Sequence, residues 1–449
     1  MLKSTSQLAW YNFNYVIILF LLSLITLILG CQATTPITQL LPNTPTLAIT
    51  PTLLPPTTTP SPTPTPEAVK TLTLWTVEEV SAQAEGDTGN LFRAILRNFE
   101  YQYKDVKVDV ILKKPSGKGG MLDFLRTAKE VAPTTLPDIA IINAVDLEQA
   151  HLNGSIVPLD GRLDRAIAQD LLPAARKIGT IDGQLLGVPL GLEMQHLIYN
   201  TKTLTTPPLL WSDILTDKVK FAFQAKGING LVNSATLSQY FSAGGRLVNE
   251  QGLPKIDGAV LQTVLQIYQQ ALDKKVIDNA LLEANLLEDV WPLYVDGQVN
   301  VAQVSVGQYL TNIITLSNTS FTRLPTQTPN DIPIAITRGW VVVLVTEDVN
   351  RQKIALNLLE WFLATNNNTN WNKTNYSIPT TTSAYQQISV DNPAYWQFLN
   401  EQLNTAIPQP SFSGYDQIGR ILQQAVQEVL TGESTPEKAA AAAVDALTK

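Results

Sequence analysis

The sequence predicts an α/β protein folded as two lobes. From about residue 70 onward, short β-rich runs alternate with amphipathic stretches of ten or more residues. That alternation implies βαβ crossovers and a parallel or mixed sheet. The body so defined, ~380 residues, is larger than a single hydrophobic core usually grows, so two lobes are expected.

Taken in order, LTLW (72–75) and VKVDVIL (106–112) read as strands. Between them, apolar residues at 91, 92, 95, 96 and 99 fall on one helical face. A helical stretch at 121–131, the strand DIAIINA (138–144) and a helix from Asp146 follow. Further strands are expected at 195–199, 299–306 and 339–345, and further helices at 259–274, 351–364 and 415–430. NNNTNWNKTNY (366–376) is so polar that it reads as an exposed loop. There is no internal repeat. Ligands of parallel sheets sit beyond the carboxyl ends of the strands, which singles out 75–79 and 143–146.

Composition excludes several functions. The 449 residues carry a formal charge of −8, and no basic run offsets it. Nucleic-acid binding, which depends on Lys and Arg neutralising phosphates, is therefore not expected. A single cysteine rules out a disulfide framework and any multi-cysteine zinc site. With only His151 and His196 to add, no metal or other cofactor is expected.

The N-terminus reads as an address. Residues 16–30 form an uncharged apolar run, short for a membrane span and of the right length for a signal-peptide core. The run ends at Ile28-Leu29-Gly30-Cys31, which resembles a bacterial lipobox, so residues 1–31 form a lipoprotein signal ending at the lipidated Cys31. The alternative is an uncleaved anchor with an incidental cysteine. Residues 32–68 are rich in Pro and Thr and lack charge before Glu67. Proline fixes φ and removes donors, so this segment reads as an extended tether reaching on the order of 100 Å. The folded part, 69–449, is then expected outside the cytoplasmic membrane, in the periplasm or at the cell surface.

A family resemblance emerges from several segments together. Glu193-Met194-Gln195-His196-Leu197-Ile198-Tyr199-Asn200, followed by Pro207-Pro208 and Trp211, resembles the first lobe crossover of maltose-binding-protein-type solute-binding proteins of ABC importers. LTLW, PDIAIINAVDLEQAHLNGSIVPLD, SAGGRLVN, LYVDGQVNVAQV, RGWVVVLV and VLTGESTPEKAAAAAVDAL resemble other pieces of that family in its own order. The resemblance implies a two-lobed periplasmic-binding-protein-like (Venus flytrap) fold with hinge strands between the lobes, a first lobe of about 70–192 plus 339–378 and a second of about 194–335 plus 380–449, with the ligand between them. It also implies hinge closure around the solute and delivery to a membrane permease by a monomer.

Candidate ligand contacts follow. Glu78 and Glu79 lie just past the first strand, either as acceptors for sugar hydroxyls or as a solvated pair near a helix start. Trp75 ends that strand, as a stacking platform or as core. Asn143 and Asp146 follow the third strand, and Asp146 could equally cap the helix beginning there. The resemblance places a ligand-facing acid at Glu193, whose other reading is an inter-lobe salt bridge. His196, alternating with apolar neighbours, reads as packed or hydrogen-bonded. Trp340 follows Arg338-Gly339 at a second crossover, where glycine permits close approach. Tyr309 and Tyr415 lie near positions where the family places stacking aromatics, which suit the apolar faces of pyranose rings. Trp211, Trp361 and Trp396 read as packing.

Three classes of function compete. Aromatics, acids and family order together favour carbohydrate capture for import. The same acids could suit a polyamine or another cationic solute, and the protein could instead report its solute to a sensor. Ferric capture is disfavoured because the adjacent tyrosine pair is absent. An enzyme is not expected: there is no G-x-S-x-G, H-E-x-x-H or GxxxxGK[ST], and adjacent glutamates seldom face each other across a bond.

Overall fold

The computed structural model describes residues 71–448. The expected signal, Cys31 and the tether lie outside the described residues.

Thirteen strands occur along the described chain: β1 (Thr71–Thr76), β2 (Lys107–Leu112), β3 (Ile139–Asn143), β4 (Thr180–Ile181), β5 (Gln184–Leu185), β6 (Gly187–Pro189), β7 (Gln195–Asn200), β8 (Phe221–Ala222), β9 (Val301–Ser305), β10 (Thr319–Thr322), β11 (Ile336–Thr337), β12 (Trp340–Leu344) and β13 (Ile407–Pro408). The first lobe is built on the sheet β2-β1-β3-β12-β6. In it β1 runs parallel to β2 and β3, while β12 runs antiparallel to β3 and β6. The second lobe carries β10-β7-β9-β8. There β7 lies antiparallel to β9 and β10, with Gln195 opposite Ser305.

Each sheet has its own core. The runs IAIIN of β3 and VVVL of β12 are buried on both faces, as strands covered by helices on either side must be. They pack against Phe92, Phe99, Leu358 and Phe362 from the helices Gly86–Gln102 and Val349–Leu363. The second core gathers Phe221, Phe223, Trp211 and Tyr268 with the helices Gly258–Asp273 and Tyr415–Thr431. Trp211, Trp361 and Trp396 all pack inside the two lobes. Among the described residues no helix is long and apolar enough to cross a membrane.

Three chain segments cross between the lobes side by side. Leu192 exchanges both backbone hydrogen bonds with Ile378, at 2.8 and 2.9 Å, and the next residue, Glu193, does the same with Arg338, at 2.9 Å each. Gly191 and Gly339 make this approach possible: a Cβ on Gly339 would stand 2.6 Å from the Gly191 carbonyl oxygen.

One expectation is overturned here. The polar run at 366–376 is not an exposed loop, because Thr365–Thr374 is a helix. Its asparagines at i and i+4 form a buried face. The amides of Asn368 and Asn372 both donate to the Leu190 carbonyl at 3.0 Å, and Asn368 Oδ1 accepts the Thr380 N–H at 3.0 Å. Polarity misleads here because the surface this helix covers is hinge backbone, which needs hydrogen-bonding partners.

Candidate functional site

The ends of β1, β3, β6 and β12 that face the second lobe converge on the crossing segments. Trp340, the first residue of β12, stands opposite Asn143, the last of β3. Trp340 is half-buried and separates two compartments, with Glu193 and Gly339 shared between them. One, of about 180 Å³, is bounded by Glu79, Trp371, Asn375 and Ser377. The other, of about 270 Å³, is bounded by Asn143, Gln195, Ser234, Ser305 and Arg338. A third space of about 460 Å³ lies between Asp146 and Gln149 of the first lobe and Gln409–Asp416 of the second. Across it the Ser411 hydroxyl donates to the Val145 carbonyl, so the lobes touch beside the cleft.

Glu193 is the electrostatic centre of this arrangement. Its backbone is locked by the Arg338 pairing, which leaves the side chain to face the cleft. Part of its surface stays open, yet protein surrounds the carboxyl closely enough that burial pushes its pKa up to about 8. The Gly307 N–H and the Arg338 charge oppose that rise without cancelling it. Near neutral pH the group is therefore substantially protonated and can donate as well as accept. It forms no salt bridge with Arg338; the guanidinium Nη2 donates instead to Ser234 Oγ at 2.5 Å. Burial likewise lifts Asp146 to about 6.

The other candidates separate clearly. Glu79 and Asn143 border the cleft compartments, although the Asn143 side chain also accepts the Val145 N–H at 3.2 Å. Asp146 and Tyr415 border the inter-lobe space, and Asp146 makes no capping hydrogen bond. Glu78 is exposed on a short 3₁₀ turn and borders none of the three compartments. Trp75 is buried in the first core, edge-on to Phe124 and under the Lys113 ammonium at 4.1 Å. Tyr309 is buried against Tyr395, 4.4 Å between ring centroids, and against His196. His196 is itself buried, with Nε2 2.8 Å from the Tyr395 hydroxyl, and burial lowers its pKa to about 4. Neither Trp75 nor Tyr309 lines the cleft, since each ring is consumed by its own lobe's packing.

Sequence reasoning did not single out Ser234, Ser305 and Arg338, which border the cleft. The signal available for Ser234 was Asn233, which caps the helix Ser234–Ser242 by accepting the Thr236 N–H at 2.9 Å. It fixes where that helix begins but not that its start faces the first lobe. A roomier depression of about 850 Å³ lies against β8 in the second lobe and is bordered by none of the crossing residues. That depression lies within the second lobe alone, away from the crossing segments where both lobes contribute side chains, so the cleft remains the candidate site.

Residues 94–399 match the family described as bacterial extracellular solute-binding protein. No curated protein sequence matches the chain. Among solved structures, the sugar-binding protein MalE of Xanthomonas citri aligns with a TM-score of 0.69 at 17% identity, covering 84% of this chain and 97% of that one. The cyclic α-maltosyl-1,6-maltose-binding protein of Arthrobacter globiformis aligns at 0.67 and 19%, covering 85% and 98%. An ABC-transporter solute-binding protein of Thermotoga lettingae, bound with α-D-tagatose, aligns at 0.64 and 21%, covering 84% and 98%. At these identities the likeness is one of fold.

Proposed function

Because the chain belongs to the bacterial extracellular solute-binding proteins, we propose that it captures a carbohydrate between its lobes and delivers it to an ABC-type import permease. The observation that carries this reading is Trp340. A half-buried indole stands at the crossing of the hinge strands, with Glu193, Asn143 and Ser305 around it. A pyranose offers an apolar face to such a ring and hydroxyls to such a rim. The neighbours of known ligand, which bind maltose-type sugars and tagatose, point the same way. A polyamine fits less well, since a half-buried guanidinium shares the compartment with a carboxyl that burial favours in its neutral form.

Function follows from population shift. A sugar touching both lobes binds the closed form better and so raises its population, and the closed, loaded form docks on the permease. The protein acts as a monomer. Lipid on Cys31 holds it at the outer face of the membrane, and the Pro/Thr tether lets the binding body reorient there.

The test is a thermal-shift screen of the protein against mono- and oligosaccharides, polyamines and amino acids. A ligand at a hundredfold excess over Kd stabilises the folded form by about 2.7 kcal/mol. A sugar response that Trp340→Ala weakens by at least tenfold in Kd is the expected result. A polyamine response with every sugar silent refutes the carbohydrate reading.

A further inference from the structure

Two arginines are held against the rest of the protein in opposite ways. Arg351 meets Asp138 through both Nε and Nη2, each at 2.5 Å, and also donates to the Thr71 carbonyl. That is how a structural guanidinium is matched, fork to carboxylate. Arg338 is the more enclosed of the two, yet among the described residues it enters no ion pair. Its one side-chain hydrogen bond goes to Ser234 Oγ. A guanidinium has five N–H donors, and Arg338 is half-buried, so the donors that Ser234 leaves unused are open to a ligand in the cleft.

The surroundings do not supply the missing anion. Tyr415 and, to a lesser degree, Glu193 stand near the Arg338 charge, but neither enters an ion pair with it. Ser234 and Ser305 are neutral, and Asn143 is the first lobe's polar contribution to this compartment. Ser234 also opens a nine-residue helix, whose N-terminal end adds partial positive charge on the same side. The space these groups enclose, about 270 Å³, admits a single sugar ring beside the Trp340 indole.

We propose that the solute is an acidic sugar of the uronic class, whose carboxylate is taken by Arg338 while its ring lies against Trp340. This rests on the carbohydrate reading of the cleft. The monoanion is favoured over a phosphate because one guanidinium balances one charge, and no lysine borders the compartment. Bidentate pairing fits the fork of the guanidinium to the plane of the carboxylate. A protonated Glu193 adds a donor to the same group and does not repel it.

The experiment is titration calorimetry of the full-length protein in detergent with galacturonate and glucuronate, as monomers and short oligomers. Each is compared with its neutral parent sugar and with the methyl ester. The expected result is that an acid binds at least tenfold more tightly than its ester and its neutral parent. Arg338→Gln should bring the Kd of the acid to that of its ester, removing the preference, and Arg338→Lys should restore part of it. The ester comparison needs no variant, so it decides the matter even if Arg338→Gln fails to fold. A neutral sugar that binds as tightly as its acid overturns this inference and leaves carbohydrate capture standing. Silence across acids and neutral sugars alike overturns both.

Discussion

Replacing Glu193 by Gln removes a buried carboxyl whose pKa burial has raised to about 8, against an ordinary value of 4.5. The sign follows from proton counting. Below about pH 4.5 both folded and unfolded chains hold the proton, and the group contributes nothing to the pH dependence. Between the two values the folded protein holds a proton that the unfolded chain has released, so stability falls as pH rises. The loss is complete above about pH 8. Each pH unit inside that window costs about 1.4 kcal/mol for one full proton, an upper limit because Glu193 keeps some contact with water. From pH 5.5 to 7.5 the wild-type protein should therefore lose about 2 kcal/mol that Glu193→Gln does not. For a folded unit of this size that is about 2–3 °C in Tm. The assay is thermal unfolding of both proteins, without solute, at several pH values. Asp146 and His196 also titrate differently in the folded state, but they do so equally in both proteins and cancel in the offset. The offset should be smallest near pH 4.5 and should grow in favour of the variant up to pH 8. An offset that is constant, or that grows in favour of the wild type, would refute the account of a desolvated carboxyl at the hinge.

Two further expectations concern the crossing strands. A Cβ on Gly191 would stand 2.3 Å from Asn372 Oδ1 and 2.8 Å from Ser377 Oγ, so Gly191→Ala should destabilise by about 1–3 kcal/mol. In a double-mutant cycle, Asn372→Ala should relieve part of that cost; strictly additive effects would show that the clash is not the cause. Asn368→Ala removes an amide donor from the Leu190 carbonyl and leaves the buried Thr380 N–H unpaired. It should cost about 1–3 kcal/mol in denaturant unfolding, and a change under 0.5 kcal/mol would show that the asparagine face is not what holds the hinge.

The regular elements were readable because their signals are local. β1, β3 and β12, the helix Met121–Val131 and the helix Tyr415–Thr431 each fall within a residue or two of the periodic runs that predict them. The helix Thr365–Thr374 was hidden because an asparagine-rich run has no apolar period, and its buried face is recognised only once the Leu190 carbonyl is known to lie beneath it. The aromatics were misleading for a related reason. Trp75 and Tyr309 end or follow strands at the places where a cleft is expected, but a ring can turn into its own lobe as easily as toward the other. Nothing in nearest-neighbour sequence records which way it turns.

The sequence by itself determined the α/β class, the order of strands and helices, membership of the solute-binding family, and the crossovers at Glu193 and Trp340. Period and order along the chain suffice for all of these. Only the tertiary structure decided that Arg338 lies half-buried without a carboxylate partner, that Glu193 is desolvated, and that Ser234 and Ser305 face Asn143 across the cleft. Desolvation and charge pairing depend on what surrounds a group in three dimensions, and these residues stand up to 195 positions apart in the chain yet border one compartment of about 270 Å³.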